Sequence, residues 1–171
     1  DYRQSYAARK SLGGGVVNTL SHPLDYVRWL LGEVDSVSAK TAHLSALDLD
    51  VEDVAEITLG LGHQLLGSVH LNYFQRPAAH WLEIVGEMGQ IHWDNATGAA
   101  QIYSAPDKRW ISVNPPVGFE RNDLFLGELR HFLAVLRGEA NTLCDLEDGV
   151  RTLALTEAVH QAAQSGRTLS F

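Results

Sequence analysis

The sequence predicts an α+β fold, an open and mostly antiparallel sheet of about six strands with helices on one face. Apolar residues recur every three or four positions before Val34 and after Pro116, as on helices, and at alternate positions between them, as on strands. Turns of two or three residues separate the strand segments, which favours antiparallel neighbours. The order helix, strands, helix, helix is typical of helices layered on one side of a sheet.

The first helical segment covers residues 16–31. Its apolar residues share one helical face, namely Val16, Val17, Leu20, Leu24, Val27 and Leu31. Pro23 inside a helix would remove a backbone hydrogen bond and clash with the preceding turn. We therefore expect a kink, or a short helix that ends and restarts with Ser21 as its cap. Gly32 is a typical helix terminator.

The middle of the chain carries strand segments in a meander. They are SVSAKTAHLS, AEITLGL, QLLGSVHLNYF, HWLEIVG, QIHWDN, AQIYSA and RWISVN, with turns at Gly62–His63, 87–89 and 106–108. In the third segment one face is apolar and the opposite face is mixed, and three tryptophans lie in these strands, Trp81, Trp93 and Trp110. A sheet face this apolar suits a partner subunit. Ordinary surface aromatics with packing on both faces remain the alternative.

Two helices close the chain, in NDLFLGELRHFLAVLRG and DLEDGVRTLALTEAVHQAAQSG. The apolar stripe of the first is expected at Leu126, Leu129, Phe132, Leu133 and Leu136. That of the second is expected at Val150, Leu153, Ala154, Ala158 and Ala162. Asp145 is in place to cap the second helix, and Gly166 to end it.

Length and composition limit the classes of protein to consider. The 171 residues predict one domain, 1–171, and the formal charge of −8 offers nucleic acid no basic surface. No apolar run approaches the length of a membrane helix. The single cysteine, Cys144, cannot form an intrachain disulfide, and a reducing, cytoplasmic location is the default. Because the chain starts at Asp1 in a polar, helix-like stretch, we expect it to be a piece of a longer protein.

No nucleotide or metal motif is found. GLGHQLLG has the wrong glycine spacing for a dinucleotide fingerprint and lies inside a hairpin, and no Gly-Lys-Ser/Thr follows the glycines at 13–15. The acidic residues at 48–53 lack the glycine and the final glutamate of a calcium loop. The histidines show no zinc spacing. We expect neither a metal site nor a cofactor site in this chain.

His22 stands out among the eight histidines. On a helix, Asn18, Thr19 and Asp25 would share its face, away from the apolar stripe. An imidazole with an oriented polar partner can exchange a proton near neutral pH. The glycines at 13–15 would let a ligand or another backbone approach the helix start. From spacing alone, a histidine on an ordinary surface helix explains the pattern as well.

The stretch GGGVVNTLSHPLDYVRWLLGEVDSVSA resembles the signature of the Gfo/Idh/MocA family of NAD(P)-dependent oxidoreductases, with its tail H-x-x-D-x-x-R-W-L-x-G. Three further stretches resemble the family in the same order, namely the hairpins VEDVAEITLGLGHQLLGSVHLNYFQRP and LEIVGEMGQIHWD and the two closing helices. Nearly the whole chain is covered. The fold implied is the glyceraldehyde-3-phosphate-dehydrogenase-like C-terminal domain type.

The resemblance implies a substrate-binding and oligomerisation domain whose N-terminal Rossmann domain is absent from this chain. The family's E-K-P motif is absent too, since the lysines are Lys10, Lys40 and Lys108. NAD or NADP would bind the full-length parent, and this fragment alone is expected to be inactive. The parent would act by hydride transfer on a sugar, cyclitol or related polyhydroxy compound. The alternative is a non-catalytic ligand-binding or assembly domain of a degenerate member.

The resemblance also assigns roles to residues. The family's acid/base histidine corresponds to His22, and its acidic companion to Asn18 or Thr19, neither of which ionises. The substrate pocket is expected to include Gly14, Gly15, Asp25, Tyr2, Arg3, Tyr73, Gln75 and Arg76. The expected partners are a carbohydrate-like substrate, the Rossmann domain and further copies of the chain, joined through the sheet face.

Overall fold

The computed structural model describes residues 1–62 and 64–171, so His63 of the predicted Gly62–His63 turn lies outside the described residues. Three short 3₁₀ turns precede the regular elements, at Tyr2–Gln4, Tyr6–Ala8 and Lys10–Leu12. The elements are then α1 (Val16–Thr19), α2 (His22–Leu31), β1 (Val34–Ala42), β2 (Val54–Leu61), β3 (Leu65–Asn72), β4 (Trp81–Gly86), β5 (Gly89–Asp94), β6 (Ala100–Ser104), β7 (Arg109–Val113), α3 (Asn122–Leu136), α4 (Leu146–Ser165) and β8 (Leu169–Ser170). The α+β class and the antiparallel pairing are confirmed, and all seven predicted strand segments form strands.

The described strands form two four-stranded sheets, where the sequence predicted about six strands in one. The chain divides into two compact units, Asp1–Phe74 with Cys144–Phe171, and Gln75–Leu143. The orders are β3-β2-β1-β8 in the first unit and β4-β5-β6-β7 in the second. A single meander would need β4 beside β3. The link between them contains Pro77, which has no N–H to donate to a ladder.

The first unit packs helices on one face of its sheet. Val37 faces Leu59 across β1 and β2, and Ile57 faces Val69 across β2 and β3, so that these side chains form one apolar layer. Helices α1, α2 and α4 contribute to the same core, with these buried residues: Val16, Val17, Leu24, Val27, Leu155, Ala158, Val159 and Ala162. The opposite face of the sheet is largely polar but includes the exposed Leu66. Its residues include Ser38, Glu56, Thr58 and His70.

Helices α1 and α2 follow the predicted stripe, and the predicted restart is confirmed. Helix α1 ends at Thr19, Ser21 occupies the N-cap position of α2, and Pro23 lies in the first turn. A proline there costs no hydrogen bond, because the first N–H groups of a helix lack intrahelical partners. The Ser21 side chain makes no capping hydrogen bond.

Helix α4 has the predicted caps but a different buried stripe. The Asp145 carboxylate accepts a hydrogen bond from the Asp148 N–H, and Gly166 ends the helix at φ 66°. The predicted burial of Val150, Leu153 and Ala154 is wrong, since all three are exposed. The buried residues begin at Leu155, and Ala158 and Ala162 are buried as predicted. Apolar residues occur on more than one face of this helix, and its contacts with β1, β8, α1 and α2 select between them.

The second unit holds an antiparallel meander and α3. One face of its sheet carries a row of four isoleucines, Ile84, Ile91, Ile102 and Ile111, in register across β4 to β7. The other face carries the polar row of Glu83, His92, Gln101 and Ser112. Helix α3 buries none of its residues, so its predicted apolar stripe is exposed. None of the helices in the described part of the chain is long and apolar enough to span a membrane.

Candidate functional site

The glycine run brings the chain's own backbone against the start of α1. A Cβ atom added at Gly14 would lie against the Tyr6 carbonyl oxygen and 2.7 Å from that of Ala7. Gly15 adopts φ +114°, and a Cβ atom there would lie 2.7 Å from the Glu52 carboxyl carbon. Both positions therefore require glycine for packing within the first unit. The sequence predicted that these glycines let a ligand or another backbone segment approach the helix start. The structure shows the backbone at residues 6 and 7 in that position.

Glu52 covers the N-terminus of α1. Its backbone oxygen accepts a hydrogen bond from the Val16 N–H at 3.1 Å, and its Oε1 accepts one from the Val17 N–H at 3.3 Å. The carboxylate thereby satisfies donors that an isolated helix leaves free, and its charge is favourable at that end of a helix. A dinucleotide pyrophosphate does not fit beside this carboxylate, because two negative charges would share the same donors. The glycine run is therefore no cofactor cradle.

Asn18 is held from three directions. Its Nδ2 donates to the carbonyl oxygens of Gly13 and Gly14, both at 3.2 Å. Its Oδ1 lies 2.9 Å from Nε2 of His160, which comes from α4. The Asn18 side chain is exposed and the His160 side chain is partly buried. The sequence alone did not identify His160, because 142 positions separate it from Asn18.

Thr19 and Tyr73 lie close together in the first unit. The Thr19 Oγ1 atom is buried, and within the described residues it makes no hydrogen bond. The Tyr73 hydroxyl donates to the Ala7 carbonyl at 3.5 Å, at the limit of hydrogen bonding. Burial raises the pKa of the Tyr73 phenol, and the nearby Thr19 hydroxyl opposes that rise. Both groups stay neutral near neutral pH, so neither supplies a charge.

His22 is the first residue of α2, directly after the break that follows α1. Its side chain is exposed, and within the described residues its ring makes no hydrogen bond and no ion pair. The expected shared helical face with Asn18 and Thr19 is interrupted, because Leu20 leaves the helical conformation at φ −110° and ψ 39°. The imidazole is therefore free to meet a ligand.

Asp25 joins a charged network between α2 and α4. It accepts a hydrogen bond from Thr152 Oγ1 at 2.7 Å, and Thr152 Oγ1 in turn accepts one from Arg28 at 2.6 Å. The Arg28 side chain is only 4% exposed and pairs with Glu33 at 2.9 Å and Asp148 at 3.0 Å. The Arg28 guanidinium lowers the pKa of Glu33, and Glu33 raises that of Arg28. In this structure the Asp25 carboxylate helps to connect two helices.

The other predicted pocket residues make local contacts. Tyr2 accepts a hydrogen bond on its hydroxyl from the Asp48 N–H at 3.0 Å, and Arg3 forms an ion pair with Asp1 at 2.6 Å. Gln75 and Arg76 begin the second unit, where the Arg76 guanidinium donates to the Gln75 carbonyl at 3.0 Å. The described contacts thus bring together Gly14, Asn18 and His160 in one group, and Thr19 with Tyr73 in another.

Comparison with known proteins identifies both a matching family model and a curated relative. Residues 3–171 match the model of an oxidoreductase family, in its C-terminal alpha/beta domain. A D-apiose dehydrogenase from Paraburkholderia graminis is 28% identical over 162 residues, which is 88% of this chain and 43% of that protein. The chain therefore spans less than half the length of this curated relative.

Solved structures share the fold. A levoglucosan dehydrogenase in complex with NADH superposes with a TM-score of 0.88 at 18% identity, over 99% of this chain and 54% of that one. An oxidoreductase from Agrobacterium radiobacter, in complex with NAD⁺, L-tartaric acid and magnesium, gives 0.81 at 22% identity, over 98% of this chain and 52% of that one. At these identities the likeness is one of fold, and this chain corresponds to about half of each protein.

Proposed function

This chain belongs to the Gfo/Idh/MocA oxidoreductase family as its C-terminal alpha/beta domain, and from that premise we propose that residues 1–171 form the substrate-binding domain of a nicotinamide-dependent oxidoreductase. The substrate class is a sugar, cyclitol or related polyhydroxy compound. Two relatives support this class, since one acts on D-apiose and another is named for levoglucosan and binds NADH. The cofactor, NAD or NADP, binds the full-length protein, and the start of α1 is not its phosphate site, because Glu52 already accepts the Val17 N–H there.

The observation that carries the proposal is the free imidazole of His22 at the start of α2. In oxidation of an alcohol, a proton leaves the substrate hydroxyl while the nicotinamide takes the hydride. His22 accepts that proton through a neutral ring nitrogen, and returns it to the alkoxide oxygen in the reverse direction. No neighbouring carboxylate shares the proton, since Asp25 is engaged with Thr152.

Asn18 and Thr19 take the place of an acidic companion. Neither ionises. Asn18 contributes to the reaction by orienting the substrate through a hydrogen bond, and Thr19, whose hydroxyl is buried, contributes by packing beside it. Gly14 and Gly15 support this region through their close packing at the start of α1, and Tyr73 lies beside Thr19. Substrate contacts are also proposed at Tyr2 and Arg3 of the first unit and, separately, at Gln75 and Arg76, with which the second unit begins. Asp25 acts through the α2–α4 network that holds the first turn of α2 in place.

The second candidate is a protein that binds the ligand without turnover. It is favoured by the absence of an ionisable group at Asn18 and Thr19. The two candidates differ in one experiment on the full-length protein that contains this chain. In a dehydrogenase, His22→Ala abolishes most NADH formation from levoglucosan, D-apiose or myo-inositol. In a binding protein, wild type and variant both bind these compounds and neither forms NADH.

We also propose that copies of this chain associate with one another. The apolar face of the second sheet, with its row of Ile84, Ile91, Ile102 and Ile111, is partly exposed, and Ile91 and Ile111 are 38% and 40% accessible. A second copy of the chain would cover this face and remove it from water. A cytoplasmic location is also part of the proposal, and it is supported by the single cysteine, which fits a reducing compartment.

A further inference from the structure

The hydrogen bonds of Asn18 fix which way its amide points. The Nδ2 group lies 3.2 Å from two carbonyl oxygens, those of Gly13 and Gly14. A carbonyl oxygen can only accept, so the amide nitrogen must face the glycines. A flipped amide would set its oxygen against both carbonyls. The Oδ1 atom therefore faces His160.

This orientation also fixes the proton of His160. Because Oδ1 of Asn18 can only accept, the Nε2 atom of His160 at 2.9 Å must carry a hydrogen. The neutral Nε2–H form and the imidazolium form both satisfy this requirement. This hydrogen bond ties α4 to α1, and the other bonds of Asn18 tie α1 to the glycines before it.

Asn18 keeps one unused hydrogen-bonding position, and that position can only accept a hydrogen bond. The amide nitrogen is hydrogen-bonded to the two glycine carbonyls, and the Oδ1 atom accepts one hydrogen bond, from His160. One acceptor lone pair is left, on a side chain that is exposed. That lone pair can bind a hydroxyl group, and it repels a carboxylate or a phosphate, which have no hydrogen to donate.

We infer that His160 is a positioning residue that holds Asn18 so that its Oδ1 atom accepts a hydrogen bond from a hydroxyl of the substrate. The inference rests on the proposed function of this domain and adds a specificity to it. The subsite takes an uncharged hydroxyl-bearing carbon and rejects the corresponding acid. His160 does not touch the substrate.

The test uses the full-length protein with NAD⁺ and three probes, levoglucosan, D-apiose and myo-inositol. His160→Phe keeps the ring volume and removes the donor, whereas His160→Gln keeps an N–H donor. Gln161→Ala, at an exposed neighbouring position of α4, is the control. We expect His160→Phe to raise KM by about 2- to 10-fold with kcat little changed, because one neutral hydrogen bond is lost from binding. His160→Gln restores KM, and Gln161→Ala changes neither constant.

A second readout does not depend on turnover. With selective isotope labelling of asparagine amides, the Asn18 side-chain resonances shift in His160→Phe and stay in place in Gln161→Ala. Addition of the polyol probes moves the same resonances in the wild type, and gluconate at equal concentration does not. Unchanged Asn18 resonances in His160→Phe would overturn the positioning role. Absence of any shift with all three polyols, or an equal shift with gluconate, would overturn the hydroxyl subsite.

The two proposals fail in different ways. If the wild type forms no NADH from any probe although the polyols move the Asn18 resonances, the subsite stands and the proposed dehydrogenase activity is wrong. If NADH forms and His160→Phe has the wild-type KM, the activity stands and the role of His160 is wrong.

Discussion

Replacing Arg28 with methionine removes the centre of the network that joins α2 to α4. The Arg28 side chain is 4% exposed and donates five hydrogen bonds, to both oxygens of Glu33, to the Asp148 carboxylate and carbonyl, and to Thr152. Methionine keeps the apolar stem and removes every donor. The network lies within the first unit, so its loss reports on that unit alone.

The loss of stability expected in Arg28→Met depends on how well water can reach Glu33 and Asp148 once the guanidinium is gone. Breaking a fully buried ion pair costs about 3–5 kcal/mol, because the partner is left charged and dry. Here the side chains of Glu33 and Asp148 are 56% and 44% exposed, so water replaces part of the hydrogen bonding that Arg28 provided. We therefore expect Arg28→Met to lower the free energy of unfolding by about 2–3 kcal/mol. For an m-value of about 2 kcal/mol/M, the urea midpoint falls on the order of 1 M.

The loss of stability caused by Arg28→Met should depend on pH, and the contacts of Glu33 determine the direction. The hydrogen bonds from Arg28 lower the pKa of Glu33 in the folded chain. The stability from this pair is thus complete above the ordinary glutamate pKa of about 4.3 and is lost as pH falls through the lower folded value. The difference between wild type and Arg28→Met shrinks on acidification.

Urea unfolding of the 171-residue chain, followed by circular dichroism at neutral and acidic pH, measures both effects. Arg151→Met is the matched control, because Arg151 also contacts Glu33, at 3.2 Å, but its side chain is 52% exposed. Exposed ion pairs contribute little, so its midpoint should match the wild type. An Arg28→Met midpoint equal to that of Arg151→Met, or a cost that does not change with pH, would refute the reasoning.

Three further predictions concern other parts of the chain. Asp53 is fully buried, and burial by itself raises the pKa of its carboxyl group. Hydrogen bonds from the Ser45 hydroxyl and from the N–H groups of Leu44 and Ser45 outweigh this effect and hold the pKa below its usual value. Asp53→Ala should destabilise the chain by about 2–3 kcal/mol near neutral pH and by less in acid, and an equal urea midpoint would contradict this. Gly14→Ala should destabilise the fold through its clash with the backbone at residues 6 and 7, whereas Gly149→Ala, with nothing within 4 Å, should leave the thermal midpoint equal or higher. Ile102→Asp should turn an oligomer into a smaller species in light scattering, and an unchanged mass would remove the isoleucine face as the interface.

Much of the local structure could be predicted from the sequence, because periodicity and capping act over a few residues. The alternation of apolar and polar residues located all seven predicted strands, and Asp145 and Gly166 marked the ends of α4. The division into two sheets could not be predicted in this way. Whether β3 pairs with β4 depends on the link between them, and a hairpin pattern looks the same in one sheet or two.

The site was predictable only in part, for the same physical reason. His22 and Asn18 were singled out because they lie near each other along the chain, and their role in a site stays a prediction. Glu52 at the start of α1 and His160 beside Asn18 come from distant segments, at separations of 35 and 142 residues. Nothing in their local sequence indicates those contacts. The buried stripe of α4 was predicted correctly at Ala158 and Ala162 and wrongly at Val150, Leu153 and Ala154, because packing against distant elements decides which face is covered.

The central claim is that His22 exchanges the proton of the substrate hydroxyl. The most direct measurement is the kcat for NADH formation by the full-length protein carrying His22→Ala, with levoglucosan, D-apiose and myo-inositol as substrates. His70→Ala, on the polar face of the first sheet, is the matched histidine control. The account predicts that kcat falls by about 100-fold or more in His22→Ala, with NAD⁺ affinity retained, partial recovery on adding imidazole, and wild-type kcat in the control. A wild-type kcat in His22→Ala would contradict it.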